Sequence, residues 1–153
     1  MKVKYINPFI AASVNLFKEY LGLSVEGGKP HVLANPQQLM EVSGIIGLAG
    51  ETVGAVVLSF SRETAIAIIS RMEKTSYTAL GSEVIDGVGE LVNIIAGNAK
   101  KDLMDFRIEI SLPGVVTGTA YQIHWPEGIP VVAVPFESEV GPFSVNVSLR
   151  DMV

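Results

Sequence analysis

Between about residues 79 and 104 the sequence keeps a helical periodicity long enough to constrain everything around it. At about 100° per residue, Val84, Val88, Leu91, Val92, Ile95 and Ala99 gather on one side, while Asp86, Glu90, Asn93 and Gly97 fall in a narrow stripe opposite. A helix with one wholly apolar face has to bury it against another layer. The rest of the chain offers that layer as strand-like runs, so the expected fold is α+β: an α/β sandwich of an antiparallel-rich sheet with long packing helices.

The flanking segments fill in the arrangement. Asn7-Pro8 reads as a helix start, with Asn7 as N-cap, Pro8 at the first position, Phe9, Ala12, Leu16 and Tyr20 on the buried side, and a stop at Gly22. The stretch that follows, with Gly27-Gly28, Pro30 and Pro36, is a connection holding one short strand. "MEVSGIIGLAGETVGAVVLSFS" reads as a hairpin turning at residues 49–52, with apolar residues on both sides. Ser61 then caps a short helix that carries Glu63 in its first turn and fades near Lys74. Beyond the long helix, "FRIEISLPGVVTG" and "AYQIHW" read as strands, and "IPVVAVPFES" with "FSVNVSL" as a second hairpin around residues 139–142. In the last run Val145, Val147 and Leu149 alternate with Asn146, Ser148 and Arg150, the pattern of a strand with one buried face. The two helix-plus-hairpin halves suggest a loose internal duplication.

Composition narrows the function. With 153 residues, 48% of them hydrophobic and 18% charged, the chain suits one domain over residues 1–153 with a single packed core. No apolar run reaches the roughly 18 residues that a membrane span needs. The apolar start is broken by Lys18 and Glu19, so it reads as structural and the protein as cytoplasmic. The absence of cysteine removes disulfides, thiol nucleophiles and Cys-ligated zinc. A net charge of −5, with no basic cluster beyond Lys100-Lys101, argues against nucleic acid.

Ordinary catalytic groups are scarce. His31 and His124 belong to no metal-ligand pair, and "GIIGLAG" precedes a β-type run, not the helix N-terminus that a phosphate loop requires. Glu83, Asp86 and Glu90 stand on successive turns, but Mg²⁺ or Ca²⁺ takes about six or more oxygen ligands, so a solvated acidic face is the simpler reading. The pair Glu90-x-x-Asn93 has more to recommend it because of its glycines. Gly87, Gly89 and Gly97 each cost a helix about 0.8–1 kcal/mol relative to alanine. Gly97, in line with the pair, leaves room for another surface, whereas Gly87 suits tight internal packing. A carboxamide donates and accepts hydrogen bonds together and can fix a water molecule without ionising, and a carboxylate can pair with a cation on a partner. These are positioning roles, which for phosphoryl transfer make up most of catalysis.

With "GELVNIIAGNAKKDL", the opening "INPFIAASVNLF", the hairpin "SGIIGLAGETVGAVVLSF" and the closing "VPFESEVGPFSVNVSL", the chain resembles the CheX branch of the CheC/CheX/FliY phosphatases, in order over nearly its whole length. The resemblance implies a chemotaxis or other two-component enzyme, a hydrolase acting on the aspartyl phosphate of CheY-like response regulators. It implies that Asn93 orients the attacking water, that Glu90 pairs with the receiver's active-site lysine, and that Asp86 adds a supporting contact. Mg²⁺ would sit on the receiver, with no cofactor on this chain. A single Glu-x-x-Asn favours the one-site CheX pattern, since Asn15 is preceded three positions earlier by Ala12. It also implies a homodimer joined through sheet edges, to which "FSVNVSL" or a neighbouring strand would contribute. Two other readings use the same helix: a receiver-binding adaptor without catalysis, and a structural dimer module.

Overall fold

The apolar stripe of the long helix meets its counterpart in a sheet. The computed structural model describes residues 3–103 and 107–150. Along the chain come α1 (Val3–Leu21), β1 (Val25–Gly27), β2 (His31–Val32), β3 (Val42–Gly50), β4 (Gly54–Phe60), α2 (Arg62–Glu73), α3 (Ser82–Lys101), β5 (Ile108–Ile110), β6 (Gly114–Thr117), β7 (Val132–Ser138) and β8 (Phe143–Leu149). The strands form one antiparallel sheet in the order β1-β7-β8-β4-β3-β5, with β2 also on β7 and β6 also on β3. Among the described residues no helix is long and apolar enough to cross a membrane.

The order is palindromic. A long helix, two short strands and a hairpin occur twice, as α1-β1-β2-β3-β4 and α3-β5-β6-β7-β8, with α2 between them. Each unit's short strands pair with the other unit's hairpin: β1 and β2 lie on β7, and β5 and β6 lie on β3. The hairpins meet along β4 and β8, from Gly54↔Leu149 to Phe60↔Phe143. This is the duplication the sequence hinted at, with its small strands exchanged.

The helices share one face of the sheet. Val42, Ile46, Leu48, Val56, Leu58 and Phe60 from the first hairpin, and Phe136, Phe143, Val145 and Val147 from the second, join Phe9, Leu16, Phe17, Ile68, Ile69, Val88, Leu91 and Ile95 in one core. Phe143 is its aromatic centre, with ring centroids 4.6 Å from Phe17, 5.1 Å from Phe136 and 5.5 Å from Phe60. Each such pair adds to area burial through favourable ring geometry. α2 begins as expected, the Ser61 side chain accepting from the Thr64 amide at 3.2 Å, and it ends at Lys74 in a left-handed conformation.

Several expectations need correction. α1 starts before Asn7-Pro8 and carries Pro8 inside it. Proline there removes only the amide that would bond the Lys4 carbonyl, and burial of Tyr5 and Ile6 rewards the extra turn. Tyr20, assigned to the buried side, is 65% exposed. α1 stops where expected, with Gly22 at φ +60° donating to the Lys18 carbonyl at 3.1 Å. The first connection holds two short strands, and "FRIEISLPGVVTG" is two strands broken at residues 111–113. α3 begins at Ser82; Met104, the far end of the expected helix, and Phe106 lie outside the described residues.

"AYQIHW" is not a strand. It belongs to an irregular crossing where Ile123 donates its amide to the Gln37 carbonyl (2.9 Å) and Trp125 its Nε1–H to the Pro36 carbonyl (2.8 Å). Tyr121 donates to the Met40 carbonyl, and its hydroxyl lies 3.0 Å from Ser43 Oγ on the sheet's second face. β8 also departs from expectation, because Asn146 and Ser148 are as buried as Val145 and Val147. It is paired with β4 from Phe143 to Leu149 and with β7 from Phe143 to Val147, so it cannot be a free sheet edge.

Candidate functional site

The placement of α3 begins with Gly44 of β3. A Cβ there would lie 3.0 Å from Val92 Cγ1 and 3.1 Å from Val88 Cγ1, so the missing side chain lets the helix settle directly on the strand. Val84, Val88, Leu91, Val92, Ile95 and Ala99 are all fully buried. With that face held by the sheet, the opposite stripe must point outward, and Asp86, Glu90 and Asn93 are exposed. Glu90 and Asn93, three residues apart, are neighbours on one face, with roughly 5–6 Å between their Cβ atoms. Lys100 and Lys101 in the last turn and Glu83 in the first complement the helix dipole.

The glycines separate as their settings require. A Cβ on Gly87 would come within 2.7 Å of Ile69 Cγ2 and 2.8 Å of its Cδ1, so the bare glycine lets α2 and α3 pack tightly there. A Cβ on Gly97 would meet nothing within 4 Å. Internal packing therefore accounts for Gly87 and leaves Gly97 unexplained. Gly87→Ala is expected to lower stability by about 1–2 kcal/mol, because overpacking outweighs the helix gain. Gly97→Ala is expected to raise it by about 0.8–1 kcal/mol. Urea denaturation of both variants measures the contrast.

The carboxylates do not converge. Glu83 accepts from the Ser82 hydroxyl at 3.3 Å and faces the α2–α3 connection. There the Tyr77 phenol is pushed above its ordinary range by partial desolvation, then by the charges of Glu73 and Glu83. Among the described residues no three His, Asp or Glu side chains are grouped as a metal ion would need. His31 is exposed on β2 with its Nδ1 3.2 Å from the Lys29 carbonyl, and His124 is exposed on the irregular crossing. The glycines of "GIIGLAG" belong to β3, where Gly50 takes φ +101° beside the turn.

One part of this face has no counterpart in the sequence reading. The turn between β5 and β6 lies against α3, with Pro113 Cβ 3.7 Å and Val115 Cγ2 3.5 Å from the position of a Cβ on Gly89. Ile85, Asp86, Gly89, Glu90, Pro113 and Val115 line a groove of about 250 Å³ beside the Glu90 side chain. Its lining joins the apolar side chains of Ile85, Pro113 and Val115 to the two carboxylates. Only the pairing of β5 and β6 with β3 brings this turn to the helix, so no local pattern could have marked it.

The surface as a whole offers a carboxylate and a carboxamide on a rigid helix, unencumbered, beside a shallow groove. Its exposed polar groups are the Asp86 and Glu90 carboxylates and the Asn93 carboxamide.

Comparison with known proteins gives consistent results. The family model for chemotaxis phosphatase CheX matches residues 42–137. CheY-P phosphatase CheX of Thermotoga maritima is 28% identical over 126 residues, which is 80% of this chain and 81% of that protein. The crystal structure of the chemotaxis protein CheX from Desulfovibrio desulfuricans superposes with a TM-score of 0.88 at 28% identity, covering 97% of this chain and all (100%) of that one. The CheX–CheY–BeF3–Mg²⁺ complex from Borrelia burgdorferi matches with a TM-score of 0.82 at 28% identity, over 98% of this chain and 100% of the matched chain.

Proposed function

The chain belongs to the chemotaxis phosphatase CheX family, and we propose that it accelerates hydrolysis of the aspartyl phosphate on a CheY-like receiver domain in the cytoplasm. The observation that carries this reading is the exposed Asp86-Glu90-Asn93 stripe on a helix whose other face is wholly buried. The Borrelia relative's complex supports it, since beryllofluoride has the shape of a phosphoryl group and Mg²⁺ accompanies it there.

The chemistry then follows. Asn93 enters the receiver's site, its carboxamide oxygen accepting a hydrogen bond from a water placed in line with the phosphorus–aspartate oxygen bond. As the water oxygen bonds to phosphorus that bond breaks; the aspartate leaves as carboxylate and inorganic phosphate is released. Glu90 pairs with the receiver's lysine and sets the depth of insertion, and Asp86 adds a contact one turn away. Mg²⁺ would be held by the receiver and would neutralise the developing charge on the phosphoryl oxygens there. Gly97 clears space at the far end of the stripe, so Gly97→Ala should raise KM for the phosphorylated receiver several-fold while stabilising the fold. Two copies join through the end of the sheet formed by β1 and β2, away from the β5–β6 end that lies beside α3.

The deciding measurement is phosphate release from a phosphorylated CheY-like receiver in Mg²⁺ buffer. Addition of the chain in catalytic amounts should speed loss of phosphate well beyond the receiver's own rate. Binding without acceleration identifies an adaptor, and neither binding nor acceleration identifies a structural module.

A further inference from the structure

Leu112 is 89% exposed, more than the other exposed large hydrophobic side chains, Tyr20, Val32 and Val53. A lone exposed leucine needs no explanation on a loose loop, but this one is held firmly. The Ser111 amide donates to the Gly47 carbonyl at 3.0 Å. The Gly47 amide donates to Ser111 Oγ at 2.9 Å, and that hydroxyl donates to the Leu112 carbonyl at 2.9 Å. Pro113 fixes its own φ and biases Leu112 toward extended backbone. The turn is thus clamped to β3 with a bare leucine at its tip, and Pro113 packs on Gly89, the residue before Glu90.

We propose that the β5–β6 turn is a second docking element for the receiver, with Leu112 seated in an apolar depression beside the receiver's phosphorylation site and setting which receiver is accepted. The inference rests on the reading of Glu90 and Asn93 given above, because it places the turn at the margin of that interface. Its partner is the receiver itself, since Pro113, the residue after Leu112, lines the same groove as Asp86 and Glu90. A preorganised apolar anchor binds without an ordering cost. It contributes equally to ground state and transition state, and so acts on KM alone.

The test is steady-state dephosphorylation with Leu112→Ser, Leu112→Met and, as a control on α1, Tyr20→Ser. Burial of one leucine corresponds to about tenfold or more in affinity. Leu112→Ser is expected to raise KM about tenfold with kcat within about twofold of wild type, Leu112→Met to restore KM, and Tyr20→Ser to change neither. An unchanged KM in Leu112→Ser, or an equal rise in Tyr20→Ser, overturns the inference. Asn93→Ala, measured in the same series, reports separately on the site: a loss of turnover there with unchanged KM in Leu112→Ser leaves the site standing without the turn.

Discussion

Replacing Asn93 with alanine is expected to lower kcat by about 10²-fold or more while leaving the affinity for phosphorylated receiver nearly unchanged. The reason is that a water-orienting group acts in the transition state: the hydrolytic water still reaches the phosphoryl group, but without a fixed direction of attack. Misplacement of a reacting atom by about 1 Å already costs roughly 10²-fold. Asn93 is exposed and its neighbours Val92 and Ile95 carry the burial, so truncation leaves the fold intact, within about 0.5 kcal/mol. The measurement is phosphate release under single-turnover conditions beside a direct binding assay. Wild-type turnover in Asn93→Ala would remove the carboxamide from the mechanism.

Glu90→Ala should fail differently. In the proposed complex its carboxylate would pair with an enclosed cation, and truncating one partner of such a pair leaves the other uncompensated, at a cost of about 2 kcal/mol or more. KM is therefore expected to rise by roughly 30-fold or more, with a smaller fall in kcat because the insertion depth is less well set. Glu90→Gln, which keeps size and loses charge, should resemble alanine in KM. Ionic strength gives a second readout. Salt should weaken wild-type binding by screening the pair and weaken the Glu90→Gln complex less. An equal salt dependence in both would mean that Glu90 is not the charged anchor.

The helical parts of this molecule were legible because their periodicity is long. Twenty residues of α3 offered enough turns for Val84, Val88 and Ile95 to separate from Asp86, Glu90 and Asn93, and the solved faces agree. Ser61 and Gly22 marked helix ends through chemistry that needs no tertiary information. The failures share a cause, which is that short or small-residue segments take their state from what lies across from them. Tyr121, Ile123 and Trp125 alternate as a strand would, yet their polar tips and amides bond a distant segment at Pro36, Gln37 and Met40. Asn146 and Ser148 look like a wet face, but they lie in the middle of the sheet, where Asn146 Nδ2 donates to the Val57 carbonyl at 3.2 Å. The candidate site divides in the same way: Glu90, Asn93 and Gly97 share one helix and were legible as a stripe, whereas Pro113 and Val115 reach the groove beside Glu90 only through strand pairing with β3.

The exchange of short strands between the two repeats bears on how the protein is made. β1 and β2 leave the ribosome 100 or more positions before their partners on β7, and β3 cannot complete its outer edge until β5 and β6 follow α3. Neither repeat can seal itself, so a half-length fragment would carry a bare hairpin flank and an uncovered helix face, both prone to association. Pairing at such separation slows the final collapse. The same interlock means that two separately expressed halves should reconstitute the phosphatase when mixed, each completing the other's sheet.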